Sequence, residues 1–329
     1  MAGPGGDRGV DIMTSAVTEP FGPLDPFVHP ALFYRDEQEY LDVTVPFVRD
    51  GLAAGEPVAV AVPGKNLALI RDALGDAAGA VKLMDMREAG RNPGRIIPGV
   101  LRAFADAQPS GRRVRIIGEP IWAGRSATEY PACVQHEALI NAAFRGRTAT
   151  ILCPYDVEQL PEHVLADAYA THPTVIPSGS RAEQDSDAYA PWAVVDRYNE
   201  PLLPVPDALT FPFDSDSLSP ARHVAVGEAA RLGLTGVKLD DLALATAELT
   251  TNSVVHGGGS GVLRMWSEDG YVVCEVRDQG RLADILAGRR PVPRDQRGGR
   301  GILLVNLIAD LVRVHRSDGG TTVRCWFAR

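Results

Sequence analysis

Cysteine is scarce in this 329-residue chain, which has four: Cys133, Cys153, Cys274 and Cys325. No two form a Cys-x-x-Cys pair, so neither a paired-cysteine zinc site nor a dithiol redox motif is expected. Buried free thiols in a reducing compartment are the simpler expectation. Long apolar runs are missing too. Nothing approaches the roughly 18 uninterrupted apolar residues of a membrane-spanning helix. There is no excess of basic charge: 33 Lys and Arg face 42 Asp and Glu, for a net charge of −9. That balance argues against a general nucleic-acid binder. Met1–Pro20 lacks the apolar core of a signal peptide and reads as a disordered leader. A cytoplasmic protein with no membrane and no direct nucleic-acid partner is expected.

What is present suits two folded domains, with 45% hydrophobic residues for their cores. The expected division is a leader (1–26), a first domain (27–172), a Pro-rich linker (173–206) and a second domain (207–329). Pro173, Pro177, Pro191, Pro201, Pro204 and Pro206 would interrupt long elements in the linker, with partial packing around Trp192 and Tyr198.

In the first domain, strand candidates 57–62, 114–117 and 149–152 alternate with helices over 40–51, 66–74, 96–107 and 130–144. Strands alternating with helices predict a parallel, three-layer α/β domain. Pro63-Gly64-Lys65-Asn66 lacks the full phosphate-loop signature and is read as a plain turn into a helix.

The second domain reads as an α+β sandwich, helices on one face of a mixed sheet. Ser219 as N-cap and Pro220 at the first helical position start one helix. A second starts near Asp240 and ends at Gly257-Gly258-Gly259. Strands 262–266 and 271–277 form a hairpin, a helix runs from Gly301 to about Asp310, and strands 311–315 and 321–327 close the domain.

Four features of this domain converge. Glu248, Asn252 and His256 stand four apart on one helical stripe, a carboxylate, an amide and an imidazole together. Asp278 of Asp278-Gln279-Gly280 shares strand parity with Val272, Cys274 and Val276, which aims a carboxylate inward where it needs a donor. Gly298-Gly299-Arg300-Gly301 precedes an apolar helix, where backbone amides and the helix N-terminus favour phosphate. Thr321, after Gly320, shares parity with Val323, Cys325 and Phe327, which places its hydroxyl on the same inner face. Singly, each of these is more often a satisfied structural group or plain turn chemistry; their order at successive element ends is what carries the inference.

On these residues the second domain resembles the GHKL (Bergerat) ATP-binding fold, and within it the anti-sigma-factor serine/threonine kinases. Glu248-x-x-x-Asn252 is similar to the N box, Asp278-x-Gly280 to the first glycine box, and Gly298-x-x-Gly301 to the second. Ala221-Arg222 also looks typical of this branch. The resemblance implies ATP and Mg²⁺ as cofactors. Asn252 would hold the metal, and Glu248 would act as general base or orient the attacking hydroxyl. Asp278 would recognise adenine, with Thr321 beside it; Gly298, Gly299 and Gly301 would line the phosphates under a lid; Gly280 and Arg300 would also belong to the cofactor site, and His256 would have a supporting part. Leu282 stands where many relatives have a further glycine, which leaves turnover less settled than binding. Six arginines (281, 289, 290, 294, 297 and 300) against Asp284 and Asp295 mark a basic lid.

The resemblance also implies partners: a sigma factor, and an anti-anti-sigma (STAS) protein phosphorylated on Ser or Thr. A homodimer is left open. A non-catalytic ATP-binding module and an atypical histidine-kinase-like protein are the alternatives. His136-Glu137-Ala138-Leu139 is the nearest phosphoacceptor-like string, but it lacks the Arg-x-Pro continuation and reads as structural.

The first domain resembles the MEDS sensory domain, related to the RecA-like fold. The matching residues are His29-x-x-x-Phe33-Tyr34, Gly51-x-x-x-Gly55-Glu56, Gly118-Glu119-Pro120-x-Trp122, Glu137-x-Leu139-x-Asn141 and Cys153-Pro154-Tyr155-Asp156. It implies sensing of a small-molecule signal, with His29, Glu119, Trp122, Glu137 and Tyr155 as candidates to line one pocket, core packing being the alternative for each.

Overall fold

The computed structural model describes residues 25–109, 111–292 and 299–329. The first domain is built on an eight-stranded sheet. Its strands are β1 (Phe27–Val28), β2 (Pro30–Tyr34), β3 (Val58–Val62), β4 (Lys82–Asp85), β5 (Val114–Gly118), β6 (Ala149–Asp156), β7 (Thr174–Ile176) and β8 (Gln184–Asp185). The order is β4-β3-β5-β6-β2-β7-β8, with β1 also on β6. Every pairing is parallel except β7 with β8.

Strand β3 shows why this sheet is covered on both faces. Val58, Val60 and Val62 join one buried cluster, while Ala59 and Ala61 join another. Helices α1 (Glu37–Ala53) and α2 (Gly64–Leu74) cover the valine side. The N-cap of α1 is Asp36, whose carboxylate accepts from the Glu39 amide at 2.9 Å. Short helices α3 (Met86–Ala89) and α4 (Arg102–Asp106) follow, the second after a π-helical turn at Ile97–Leu101 where one continuous helix is expected. The other face is covered by α5 (Tyr130–Ala143), α6 (Glu162–Thr171) and α7 (Pro191–Arg197). Much of the Pro-rich segment is thus folded onto the first domain. β7 pairs with β2, Val194 and Val195 are core residues, and Trp192 and Tyr198 pack beside them.

Among the described residues the second domain has five strands: β9 (Leu209–Asp214), β10 (Ser260–Glu268), β11 (Tyr271–Asp278), β12 (Leu311–Ser317) and β13 (Gly320–Ala328). Their order is β12-β13-β11-β10-β9. All pairings are antiparallel, not mixed, because hairpins join β10 to β11 and β12 to β13 and the remaining neighbours also run oppositely. β9 is additional to the expected strands; Pro212 within it is tolerated because β9 is an edge strand.

Helices α8 (Leu218–Arg231), α9 (Gly236–His256) and α10 (Gly301–Ile308) cover one face. Helix α8 begins before Ser219, with Ser217 at the N-cap and no capping hydrogen bond. Ala221, Ala225 and Ala229 on α8 and Leu242, Ala245 and Leu249 on α9 meet Val272, Cys274, Val276, Val323, Cys325 and Phe327. The opposite face carries Trp266, Val273 and Trp326, which pack with Ala132 of α5. The domains are therefore in contact. All four cysteines are buried and unbridged. Among the described residues no helix is long and apolar enough to cross a membrane.

Candidate functional site

The C-terminal end of α9 meets the ends of β11 and β13. Asp278 and Thr321 are direct cross-strand partners. Asp278 is held from two sides: the Ser253 hydroxyl donates to Oδ2 at 2.7 Å and the Gly280 amide to Oδ1 at 2.8 Å. Thr321 Oγ1 donates to the Gly280 carbonyl at 2.7 Å and lies 3.3 Å from the Leu282 amide. These bonds set the direction of the inward carboxylate and the course of the chain leaving β11.

Close backbone contact makes this join possible. A Cβ on Gly280 would stand 2.5 Å from Gly257 Cα and 2.6 Å from the His256 carbonyl oxygen. Only glycine permits that approach.

Beyond the join lies a pocket of about 670 Å³, a size typical of small-ligand sites. Asn252, His256, Asp278, Gly280, Gly299, Gly301 and Thr321 line it, together with apolar Leu249, Val276, Ile302 and Val323. Glu248 is one turn away from Asn252. Glu248 Oε2 and Asn252 Nδ2 each lie 2.8 Å from where a Cβ on Gly301 would stand. The start of α10 is therefore pressed against both side chains. Arg300 precedes it and is exposed. Gly298 lies outside the described residues.

The basic lid is less concentrated than its sequence suggests. Arg289 turns toward the first domain, 3.5 Å from the Pro93 carbonyl oxygen, and burial pushes its pKa down to about 10. Arg290 pairs with Asp284 at 3.1 Å. Arg294, Asp295 and Arg297 lie outside the described residues. Arg281 and Arg290 line the pocket. The apolar character of nearby Ile285 and Leu286, packed into the first domain's core, explains why the segment turns that way.

Ser253 escaped sequence reasoning. It continues the buried stripe of Leu242 and Leu249 on α9, and a hydroxyl at a core position of an apolar stripe was its available signal. Gly257, read only as a helix stop, is also a contact surface for Gly280.

A second cavity, of about 360 Å³, opens in the first domain. It sits at the carboxyl ends of parallel strands, the usual ligand position in α/β sheets. Tyr34, Asn66, Glu119, Trp122 and Asp156 line it. Asn66 Nδ2 donates to both oxygens of Glu119, at 3.0 and 2.9 Å, and burial raises the Glu119 pKa to about 8. Lys65, from the phosphate-loop-like turn, pairs with Glu37 at 3.0 Å. The single pocket expected for His29, Glu119, Trp122, Glu137 and Tyr155 is not formed. His29, Glu137 and Tyr155 lie in the buried layer between the sheet and α5–α6. His136 is 1% exposed, and burial lowers its pKa to about 3, so it is a neutral core histidine.

This pocket suits a nucleotide in kind: an apolar wall, a fixed carboxylate at one end, and the Asn252 amide near the start of α10. This is the architecture of a histidine kinase-like ATPase domain, and that family's model matches residues 211–327. The model of the MEDS domain (methanogen/methylotroph, DcmR sensory domain) matches residues 28–173. The serine-protein kinase RsbW of Halalkalibacterium halodurans is 32% identical over 124 residues, covering 34% of this chain and 76% of that protein. The anti-sigma F factor of Clostridium acetobutylicum is 28% identical over 123 residues, covering 35% of this chain and 86% of that protein. Through its C-terminal domain the chain belongs to the RsbW family of anti-sigma kinase-like GHKL ATPases.

Proposed function

We propose that the chain is a sensor-controlled anti-sigma kinase of the cytoplasm. Its C-terminal domain would bind ATP with Mg²⁺, hold a sigma factor, and phosphorylate a Ser or Thr of a STAS anti-anti-sigma protein. One observation carries this reading: Asp278 is locked by Ser253 and the Gly280 amide in a pocket whose rim presents Asn252, with Glu248 one turn away.

In this reading Asp278, with Thr321 beside it, receives the adenine exocyclic amine. Asn252 offers its side-chain oxygen to the metal. Gly299 and Gly301 leave the N-terminal amides of α10 open to phosphate. Glu248 orients the incoming hydroxyl and takes its proton. Bound ATP–Mg²⁺ supplies the transferable phosphoryl group and a cation to offset its charge. Phosphate on the STAS protein would add charge at its binding surface and release it, leaving the sigma factor sequestered. The names of the two relatives, a serine-protein kinase and an anti-sigma factor, support the same reading. Leu282, in the place of a glycine, favours a second reading in which ATP sets conformation without transfer.

Incubation with γ-labelled ATP, Mg²⁺ and a STAS protein separates the two. Label on the partner that disappears in Glu248→Ala supports the kinase. Tight ATP binding with no label on any protein removes it in favour of the binding module.

A further inference from the structure

His29, Glu137, Cys153 and His172 come from four separate segments: the residue between β1 and β2, helix α5, strand β6 and the residue after α6. All four are fully buried, and one ligand atom of each lies within 4.8 Å of the others. His29 Nε2 is 3.4 Å from Glu137 Oε2, His172 Nε2 is 3.3 Å from the same oxygen, and Cys153 Sγ is 3.4 Å from His29 Nε2. Ligands around a tetrahedral zinc ion are separated from each other by roughly 3.3–3.6 Å, given metal–ligand bonds of about 2.0–2.3 Å.

The protons of the two imidazoles are directed away from this point. Asn141 Nδ2 donates to the carbonyls of Ala138 and Thr171 at 3.1 and 2.8 Å, so its Oδ1 is the acceptor for His29 Nδ1 at 3.1 Å. His172 Nδ1 lies 2.8 Å from the Ala168 carbonyl oxygen and must donate to it. In the neutral rings, both Nε2 lone pairs therefore face the Glu137 carboxylate. Among the described residues no hydrogen bond of good geometry reaches either Glu137 oxygen or His172 Nε2, although the side chains are wholly buried and the two imidazole nitrogens stand 3.4 and 3.3 Å from Oε2. An isolated buried carboxylate facing lone pairs costs several kcal/mol. A divalent cation removes that cost. With a thiolate and a carboxylate as ligands, the site's charge sums to zero.

We propose that His29 Nε2, His172 Nε2, Cys153 Sγ and Glu137 bind a late first-row divalent metal ion, zinc by the chemistry of the donors. Nitrogen and sulfur ligands in a closed, four-coordinate, dry site select zinc over Mg²⁺ or Ca²⁺. No open position remains, so the ion pins the first domain's sheet to α5 and α6 and does no chemistry. Asn141 and the Ala168 carbonyl are the outer groups that orient the two imidazoles.

The test uses the purified full chain, stripped with a chelator and then titrated with Zn²⁺ or Co²⁺. One metal per chain is expected, uncompeted by excess Mg²⁺ or Ca²⁺, with a thiolate-to-metal charge-transfer band in the Co²⁺ form. Cys153→Ser should lose that band, His223→Ala on the surface of α8 should keep it, and Asn141→Leu should weaken zinc binding about tenfold. An unchanged band in Cys153→Ser would place the metal elsewhere and overturn the proposal. Should Cys153→Ser fail to fold, the wild-type titration decides: no metal uptake, or Co²⁺ uptake without the thiolate band, also overturns it.

Discussion

The side-chain amide of Asn92, in the first domain, donates at 2.8 Å to the backbone carbonyl of Asn306, in helix α10 beside the second domain's pocket. Asn92 Oδ1 accepts from the Val312 amide at 3.3 Å and from the Gly94 amide at 3.0 Å. One fully buried side chain thus ties the two domains at the base of α10. Arg91 reinforces the tie through Asp310, at 2.9 Å.

Asn92→Ala leaves buried backbone groups without partners. A loss of about 1–3 kcal/mol in stability is expected. Denaturant unfolding of the full chain measures it. A change within a few tenths of a kcal/mol would show that the joint does not matter.

Ser253→Ala removes one of the two donors that hold Asp278. Hydrogen bonds to charged groups contribute about 1.5–3 kcal/mol, so ATP affinity should fall on the order of tenfold or more. Calorimetric titration of wild type and variant with ATP checks this, and Asp278→Asn should lose more than Ser253→Ala.

Gly301→Ala would place a methyl group 2.8 Å from both Asn252 Nδ2 and Glu248 Oε2. The overall fold should survive, because the start of α10 is only partly buried. Nucleotide binding should weaken, with circular dichroism unchanged. A variant that binds ATP as wild type does would mean that these side chains simply move aside.

Glu119 makes stability pH-dependent. Burial raises its pKa from 4.5 to about 8. Between those values the unfolded chain has released the proton and the folded chain still holds it, so stability falls as pH rises across that window. Glu119→Gln mimics the protonated form and should flatten the decline. Urea midpoints for both proteins at pH 5 and pH 8 are the measurement; parallel behaviour would mean that Glu119 does not titrate in this range.

Local patterns made much of this fold legible. The valine–alanine alternation of β3, the hairpins of the second domain and the parity of Val272, Cys274, Val276 and Asp278 follow from a period of two. The spacing of Glu248, Asn252 and His256 follows from the helical period. Patterns shorter than an element could not show that β9 adds an edge to the second sheet, or that β7 and α7 fold back onto the first domain. Nor could they show that Arg289 turns away from the second domain's pocket toward Pro93. Those outcomes depend on which apolar surfaces lie within reach, and Ile285 and Leu286 found theirs in the first domain.

By itself the sequence determined the class of each domain and the polar residues offered at the ends of α9, β11 and β13, because periodicity and turn chemistry are local. Only the tertiary structure decided which groups meet. It brought Ser253 to Asp278 and Asn92 to Asn306. It also gathered His29, Glu137, Cys153 and His172 from four segments that no Cys-x-x-Cys spacing could reveal. Coordination and hydrogen bonding act over about 2–3 Å, a distance that sequence separation does not encode.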